Sequence, residues 1–303
     1  MTKPASERDK RLDQLKREVT RPGFNRHASI LEKMGDLDPS LQSPAVTALT
    51  TSQTVQTIIE FPPQIHSGWQ YVPRQALLFT PSGVIHLLAS IWPDQPPQIT
   101  QVDGCGIMYV KVKLLLLYGY LEIVAQGQTS PTRLGVEFNT VAWPYLSLPL
   151  MRFLQAAAPT PDSLTAKISL SPSVNQAFER LPLKFSNGLK IFGLLPGEQL
   201  ENLVFQPGTW QRWLLFFRRP ITADTLLLLT SNYMVVIQEE LGIPQGWVLS
   251  YIPRECITEM QNRPLELCSE LIVPLQRENQ AAEYRLSLTS DAIEAWRMPW
   301  MQN

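Results

Sequence analysis

The chain has 303 residues, a formal net charge of −1, 44% hydrophobic residues and 17% charged residues. That length suits two domains of ordinary size better than one core. The apolar content excludes a disordered polypeptide, and the near-neutral charge gives no global field for nucleic acid.

With 26 prolines and 15 glycines the chain is interrupted often, which limits long helices and favours strands. Residues 1–33 are charged where a secretory signal is apolar, and no run reaches the roughly 18 apolar residues of a membrane span. Cys105, Cys256 and Cys268 are odd in number and lack a C-x-x-C pair, which argues against a disulfide framework or a zinc knuckle. The expectation is a chain that is neither integral to a membrane nor exported by a signal peptide, and that resides in a reducing cytoplasm.

Residues 1–50 interleave Arg8, Lys10, Arg11, Lys16 and Arg17 with Glu7, Asp9, Asp13 and Glu18 before Pro, Ser and Thr take over. Leu12, Leu15 and Val19 form a narrow helical stripe, so this stretch reads as a charged helix followed by a flexible linker. Segments 54–153 and 198–303 then read as one pattern written twice. A first strand ends at Phe61-Pro-Pro63 and again at Phe205-Gln-Pro207. Ala76-Leu-Leu-Phe-Thr80 with Val84-Ile85 is echoed by Leu226-Leu-Leu-Leu-Thr230 with Met234-Val-Val-Ile237, each predicting strand, tight turn and strand.

From Thr80 onward the halves stay in register at a spacing of 150 residues, pairing Ile99 with Leu249, Val102 with Ile252, Ile107 with Ile257, Leu121 with Leu271 and Ile123 with Val273. Leu114, Leu115, Leu116 and Leu117, an aliphatic burst of strand length, are expected in a core strand. Leu134, Val136 and Phe138 match Tyr284, Leu286 and Leu288, a period-2 alternation. Capping residues follow in both halves, predicting helices over 141–154 and 292–301. Between the halves, 174–181 reads as a short helix and Asn187-Gly188 as a hairpin turn.

About six or seven antiparallel strands closed by a C-terminal helix, twice over, resembles the pleckstrin-homology-like (PH-like) fold. Leu194-Leu-Pro-Gly-Glu198, the strand pair of 226–237 and the helix bearing Trp296 and Trp300 resemble its bacterial PH and GRAM-like group. The resemblance implies a mainly β fold with capping helices (α+β): two β-barrel or sandwich domains in tandem at 54–155 and 189–303, after a segment at 1–50 and around a partly structured linker at 156–188. Trp296 and Trp300, four apart, would share the helix face that plugs the barrel. The first half carries Pro144 and Pro149 there, a departure from a clean helix.

Nucleophile-elbow, phosphate-loop, dinucleotide and zincin motifs are all missing, so no enzyme, catalytic residue, metal or cofactor is expected. Asp103-Gly-Cys-Gly106 precedes a strand and reads as a turn. His27, His66 and His86 are too dispersed for a metal site. Cys105 lacks a visible histidine partner, and Cys256 and Cys268 read as small core residues. PH-like domains that bind inositol phosphates use basic residues near their first inter-strand loop, and here Arg212, Arg218 and Arg219 interleave with Trp210, Trp213, Phe216 and Phe217. Guanidinium forks on phosphates with interfacial aromatics would make a lipid site. Without the Lys-x(n)-Arg-x-Arg arrangement, the sequence favours buried aromatics and solvating arginines. Lys111 and Lys113 share one strand face, expected to be solvated or to guard an edge. The leading expectation is a non-catalytic interaction protein for a protein partner or a second copy of itself. The alternative is a peripheral module for anionic membranes.

Overall fold

The computed structural model describes residues 6–22, 27–49, 53–65, 70–92, 94–158, 172–212 and 218–297. The chain begins with α1 (Glu7–Thr20), β1 (Ser29–Leu31), α2 (Pro39–Ala48), β2 (Thr57–Phe61), β3 (Gln64–Ile65) and β4 (Tyr71–Val72). It continues through β5 (Gln75–Phe79), β6 (Gly83–Leu88), β7 (Gln98–Asp103), β8 (Ile107–Leu115), β9 (Tyr118–Ala125), β10 (Thr132–Asn139) and α3 (Trp143–Ala157). Next come α4 (Pro172–Glu179), α5 (Leu183–Gly188), β11 (Leu200–Gln206), β12 (Thr209–Arg212), β13 (Arg218–Thr222), β14 (Thr225–Thr230) and β15 (Tyr233–Glu240). The last elements are β16 (Ile243–Pro253), β17 (Gln261–Pro264), β18 (Ser269–Arg277), β19 (Gln280–Leu288) and α6 (Ser290–Arg297). The protein is mainly β, and its described residues end on a helix.

Setting aside β1 and the short pairs β3–β4 and β12–β13, the described residues of each half give seven strands and then a helix. Local chemistry repeats with the 150-residue spacing. Thr80 Oγ1 donates to the Gly83 carbonyl at 3.1 Å and accepts from its N–H at 3.0 Å, and Thr230 does both with Tyr233 at 3.1 Å. One 3₁₀ turn occupies Gly104–Gly106 and another Arg254–Cys256. Ile107 lies opposite Ala125 as Ile257 lies opposite Leu275. Asn139 and Thr289 each cap the following helical turn with a side-chain oxygen.

Contacts divide the chain into two compact units whose limits are not those of the halves. Unit 1 comprises Met1–Gln101 and Val136–Phe153, and unit 2 comprises Val102–Gly135 and Leu154–Asn303. The units therefore do not follow the expected 54–155 and 189–303 boundaries. The cause is antiparallel pairing of β8 with β16, which ties strands of the first half to the second.

Unit 1 has a sheet in the order β1-β2-β5-β6-β7. Residues 29–48 are structured rather than linker: β1 pairs with β2, and α2 presents Leu41 and Ala45 to Ile58, Ala76, Leu78, Ile85 and Leu87. Leu37, Leu41 and Ala45 recur every four residues, while Asp38 caps α2 by accepting from Ser40 N at 3.0 Å. Buried Glu60 is held by Arg74 at 2.5 Å and accepts from Asp38 N at 2.8 Å. The charged α1 buries only Val19, as its narrow stripe predicts. Pro144 sits in the first turn of α3, where its missing N–H costs nothing, and the helix continues past Pro149 to Phe153, whose ring meets Phe79 edge-on at 6.4 Å.

Unit 2 has a seven-stranded sheet, β10-β9-β8-β16-β15-β14-β11, which β10 enters with Thr132–Gly135, and a three-stranded sheet, β17-β18-β19. Met108, Tyr109 and Val124 share one core with Leu227, Val236, Leu271, Leu286 and Trp296. Trp296 is fully buried, whereas Trp300 lies outside the described residues. The helix expected at 174–181 is α4. The hairpin expected at Asn187-Gly188 is instead α5 running into a π-helical turn, Leu189–Gly193. Phe185, Leu189 and Phe192 recur at helical spacing and are buried, and the rings of Phe185 and Phe192 lie 5.4 and 6.3 Å from that of Trp247. Gly188 has φ −57°, and a Cβ there would meet the Trp247 ring at 3.2 Å, so close packing rather than a turn explains this glycine.

The indole Nε1 of Trp296 has no hydrogen-bond partner among the described residues, so its ring rather than its polar atom carries the packing. Trp296→Ala is expected to lower unfolding stability by about 3–5 kcal/mol. Trp296→Phe, which also removes the orphaned donor, should cost much less, as read by denaturant titration followed by circular dichroism.

Candidate functional site

The feature that rises from unit 2 is the arm β12–β13. Gly208 N donates to Asp224 Oδ1 at its base, and Thr209 N donates to Thr222 Oγ1 at 3.1 Å. The arm's register places Trp210 opposite Pro220, Gln211 opposite Arg219 and Arg212 opposite Arg218. Pro220 lacks an N–H, which suits it to a two-stranded arm. Arg212, Arg218 and Arg219 are all exposed, and Trp210 is 56% exposed. No carboxylate pairs with these arginines among the described residues. Like charges directly opposite in an antiparallel pair repel, so the arrangement is held against its own electrostatics. Trp213, Phe216 and Phe217, expected to be buried in a strand, lie in the segment 213–217, outside the described residues.

Strand registers show what shares an end of the sheet with this arm. Gln206 of β11 faces Thr225, and Thr225 faces Gln238, so the arm leaves the sheet beside the β15–β16 turn. Trp247 faces Leu114, so that turn in turn neighbours the β8–β9 turn. Both turns present apolar tips. Leu241 and Ile243 flank Gly242, whose φ of 78° closes the first, and Leu116, at φ 51°, heads the second with Leu117. Leu116 and Leu117 are 68% and 69% exposed. They are thus not core strand residues: Leu115 pairs with Tyr118, which leaves 116 and 117 as the two residues of a tight turn.

Lys111 and Lys113 are half-buried and line an open cleft of about 230 Å³ rather than a solvated face or a free edge, since β8 is paired on both sides. Thr222, Gln238, Glu240, Arg285 and Ser287 complete its polar wall. Lys113 pairs with Glu240 at 3.4 Å, Lys184 pairs with Glu239, and Arg285 reaches Glu283 at 2.6 Å and Glu270 at 3.9 Å. The Lys111 ammonium lies 5.9 Å from the centre of the Tyr284 ring, whose hydroxyl donates to Ser250 Oγ at 2.8 Å. Burial, reinforced by Lys113, pulls the Lys111 pKa below the ordinary lysine value. Burial likewise pushes the Tyr284 hydroxyl up to about 12.

The remaining sequence candidates stay apart from these groups. Cys105 is exposed in its 3₁₀ turn and Cys268 is half-buried in the β17–β18 turn. Buried Cys256 donates to the Ile107 carbonyl at 3.3 Å and accepts from Arg277 at 3.0 Å, with burial pushing its thiol up, so it is held as a structural group. His66 lies outside the described residues. Among the described residues no three His, Cys, Asp or Glu side chains are grouped to hold a metal ion, and no helix is long and apolar enough to cross a membrane. Compared with known protein families and with curated proteins, the chain matches none.

Sequence reasoning found the arginines and lysines but missed Arg285, the apolar turn tips and the convergence of arm and turns. Gly242 between Leu241 and Ile243 was the one local signal for a turn tip. In unit 1, His86 Nε2 donates to Gln75 Oε1 at 3.1 Å, and burial lowers its pKa from 6.5 to about 4. The unfolded chain therefore takes up a proton first as pH falls. The contribution of His86 to stability is expected to be full above about pH 6.5 and to drain away towards pH 4. Denaturant titrations of wild type and His86→Gln across that window should show the variant losing this part of the pH dependence.

Proposed function

We propose that this chain is a non-catalytic interaction protein of two PH-like domains in tandem that attaches to anionic membrane surfaces through the arm end of its seven-stranded sheet. The observation that carries this reading is the convergence there of Arg212, Arg218 and Arg219 with exposed Trp210, Leu116, Leu117, Leu241 and Ile243. Arginines without acidic partners among the described residues attract phosphate oxygens, while an aromatic ring and short aliphatic tips suit the headgroup layer. The tandem PH-like arrangement is supported by the repeated order of seven strands and a helix, with the threonine turns and 3₁₀ turns repeating 150 residues apart.

Each arginine at an anionic surface contributes about 1 kcal/mol, so electrostatics alone gives weak, salt-sensitive attachment. Insertion of the turn leucines adds a part that salt does not screen. Co-sedimentation with phosphatidylglycerol vesicles at low salt should therefore pellet the protein, and phosphatidylcholine vesicles should not. Arg218→Ala with Arg219→Ala is expected to weaken partitioning on the order of thirtyfold. Leu116→Ser with Leu117→Ser should weaken it at high and low salt alike. If wild type stays in the supernatant with anionic vesicles at low salt, the membrane reading fails and a protein partner or self-association takes its place.

A further inference from the structure

Among the described residues, two of the three cations that line the cleft are ion-paired. Lys113 has Glu240, and Arg285 has Glu283 and Glu270. Lys111 has no carboxylate within ion-pair distance among the described residues. Its cross-strand neighbour Glu122 is engaged by Arg133 and by the Tyr109 hydroxyl, each at 3.1 Å. An ammonium that is half-buried and beside a second lysine is costly to keep charged, and Glu122 and Glu240, beyond ion-pair distance, offset only part of that cost. The cleft beside it is open and has room for an anion.

We propose that this cleft binds a single phosphate-type oxyanion, anchored by Lys111 with Lys113 and Arg285 at its rim and the Ser287 hydroxyl as a neutral donor. Two ammonium groups and a guanidinium arriving from β8 and β19 suit an anion whose oxygens point in several directions better than a planar carboxylate. At about 230 Å³ the cleft is below the size of drug-like sites and fits a headgroup or a small phosphate ester. The site stands whether or not the arm touches a membrane.

The test is calorimetric titration of the full chain with inorganic phosphate at constant ionic strength, with acetate as the competing class. Saturable phosphate binding is expected, about tenfold or more weaker in Lys111→Met, largely kept in Lys111→Arg, weakened in Arg285→Gln and unchanged in Lys10→Ala, which removes an exposed cation of α1. Because Arg285 is exposed, its variant still decides the matter if Lys111→Met does not fold. Phosphatidylglycerol vesicles separate the sources. If Lys111→Met also reduces vesicle partitioning, the occupant is a lipid headgroup, and if it reduces phosphate affinity alone, the occupant is a soluble phosphate ester. No saturable binding by wild type, equal binding of acetate, or unchanged affinity in both Lys111→Met and Arg285→Gln would overturn the site. The membrane reading of the arm would be untouched by that result.

Discussion

The antiparallel pairing of Val110–Leu114 with Trp247–Tyr251 is the constraint on which unit 2 depends. An unpaired strand edge leaves a row of backbone donors and acceptors available to any other chain, and here the two halves satisfy each other. The pairing makes one seven-stranded sheet from strands of both halves, so Met108, Tyr109 and Val124 enter the core that Trp296 closes. It also fixes the facing residues: Lys111 stands opposite Ser250 and Lys113 opposite Val248. A slip of one residue would turn both lysines into the core and Val112 out of it.

The same end of the sheet gathers the protein's departures from ordinary surface chemistry. Arg212 faces Arg218, turn tips carry leucines where polar residues are usual, and Lys111 is half-buried without an ion-paired carboxylate among the described residues. None of these stabilises the fold, and each is tolerated because neighbouring elements are strongly determined. Trp247 is met edge-on by Phe185 and Phe192, and the arm is anchored by Asp224 and the Thr209–Thr222 pair. Local rules broken together beside strongly determined elements are what the proposed contact surface rests on.

Much of the local structure was legible in the sequence, because strand alternation, threonine turns and capping residues act over a few residues. The paired strands of 76–85 and 226–237 follow directly from such patterns. The β8–β16 join was not legible, since Val110, Val112 and Leu114 alternate with lysines in the same way at a free edge and in a paired strand. Asn187-Gly188 misled because its turn chemistry is outweighed by Phe185, Leu189 and Phe192 docking as a helix. Ile99 and Leu249 are matched in register, yet one is 41% exposed on the edge strand β7 and the other fully buried in a strand paired on both sides. Of the candidate site, the charged residues were visible one by one. Their convergence, and the place of Arg285 beside Lys111, exist only once the strands are paired.

The join also has a temporal side. During synthesis, Val110 leaves the ribosome roughly 140 residues ahead of Tyr251, its partner. At about 5–20 residues per second, the edge of β8 waits on the order of ten seconds before β16 exists to cover it. Throughout that interval the nascent chain carries an open strand, and Lys111 and Lys113 are the charges on it that discourage pairing with a neighbouring nascent chain.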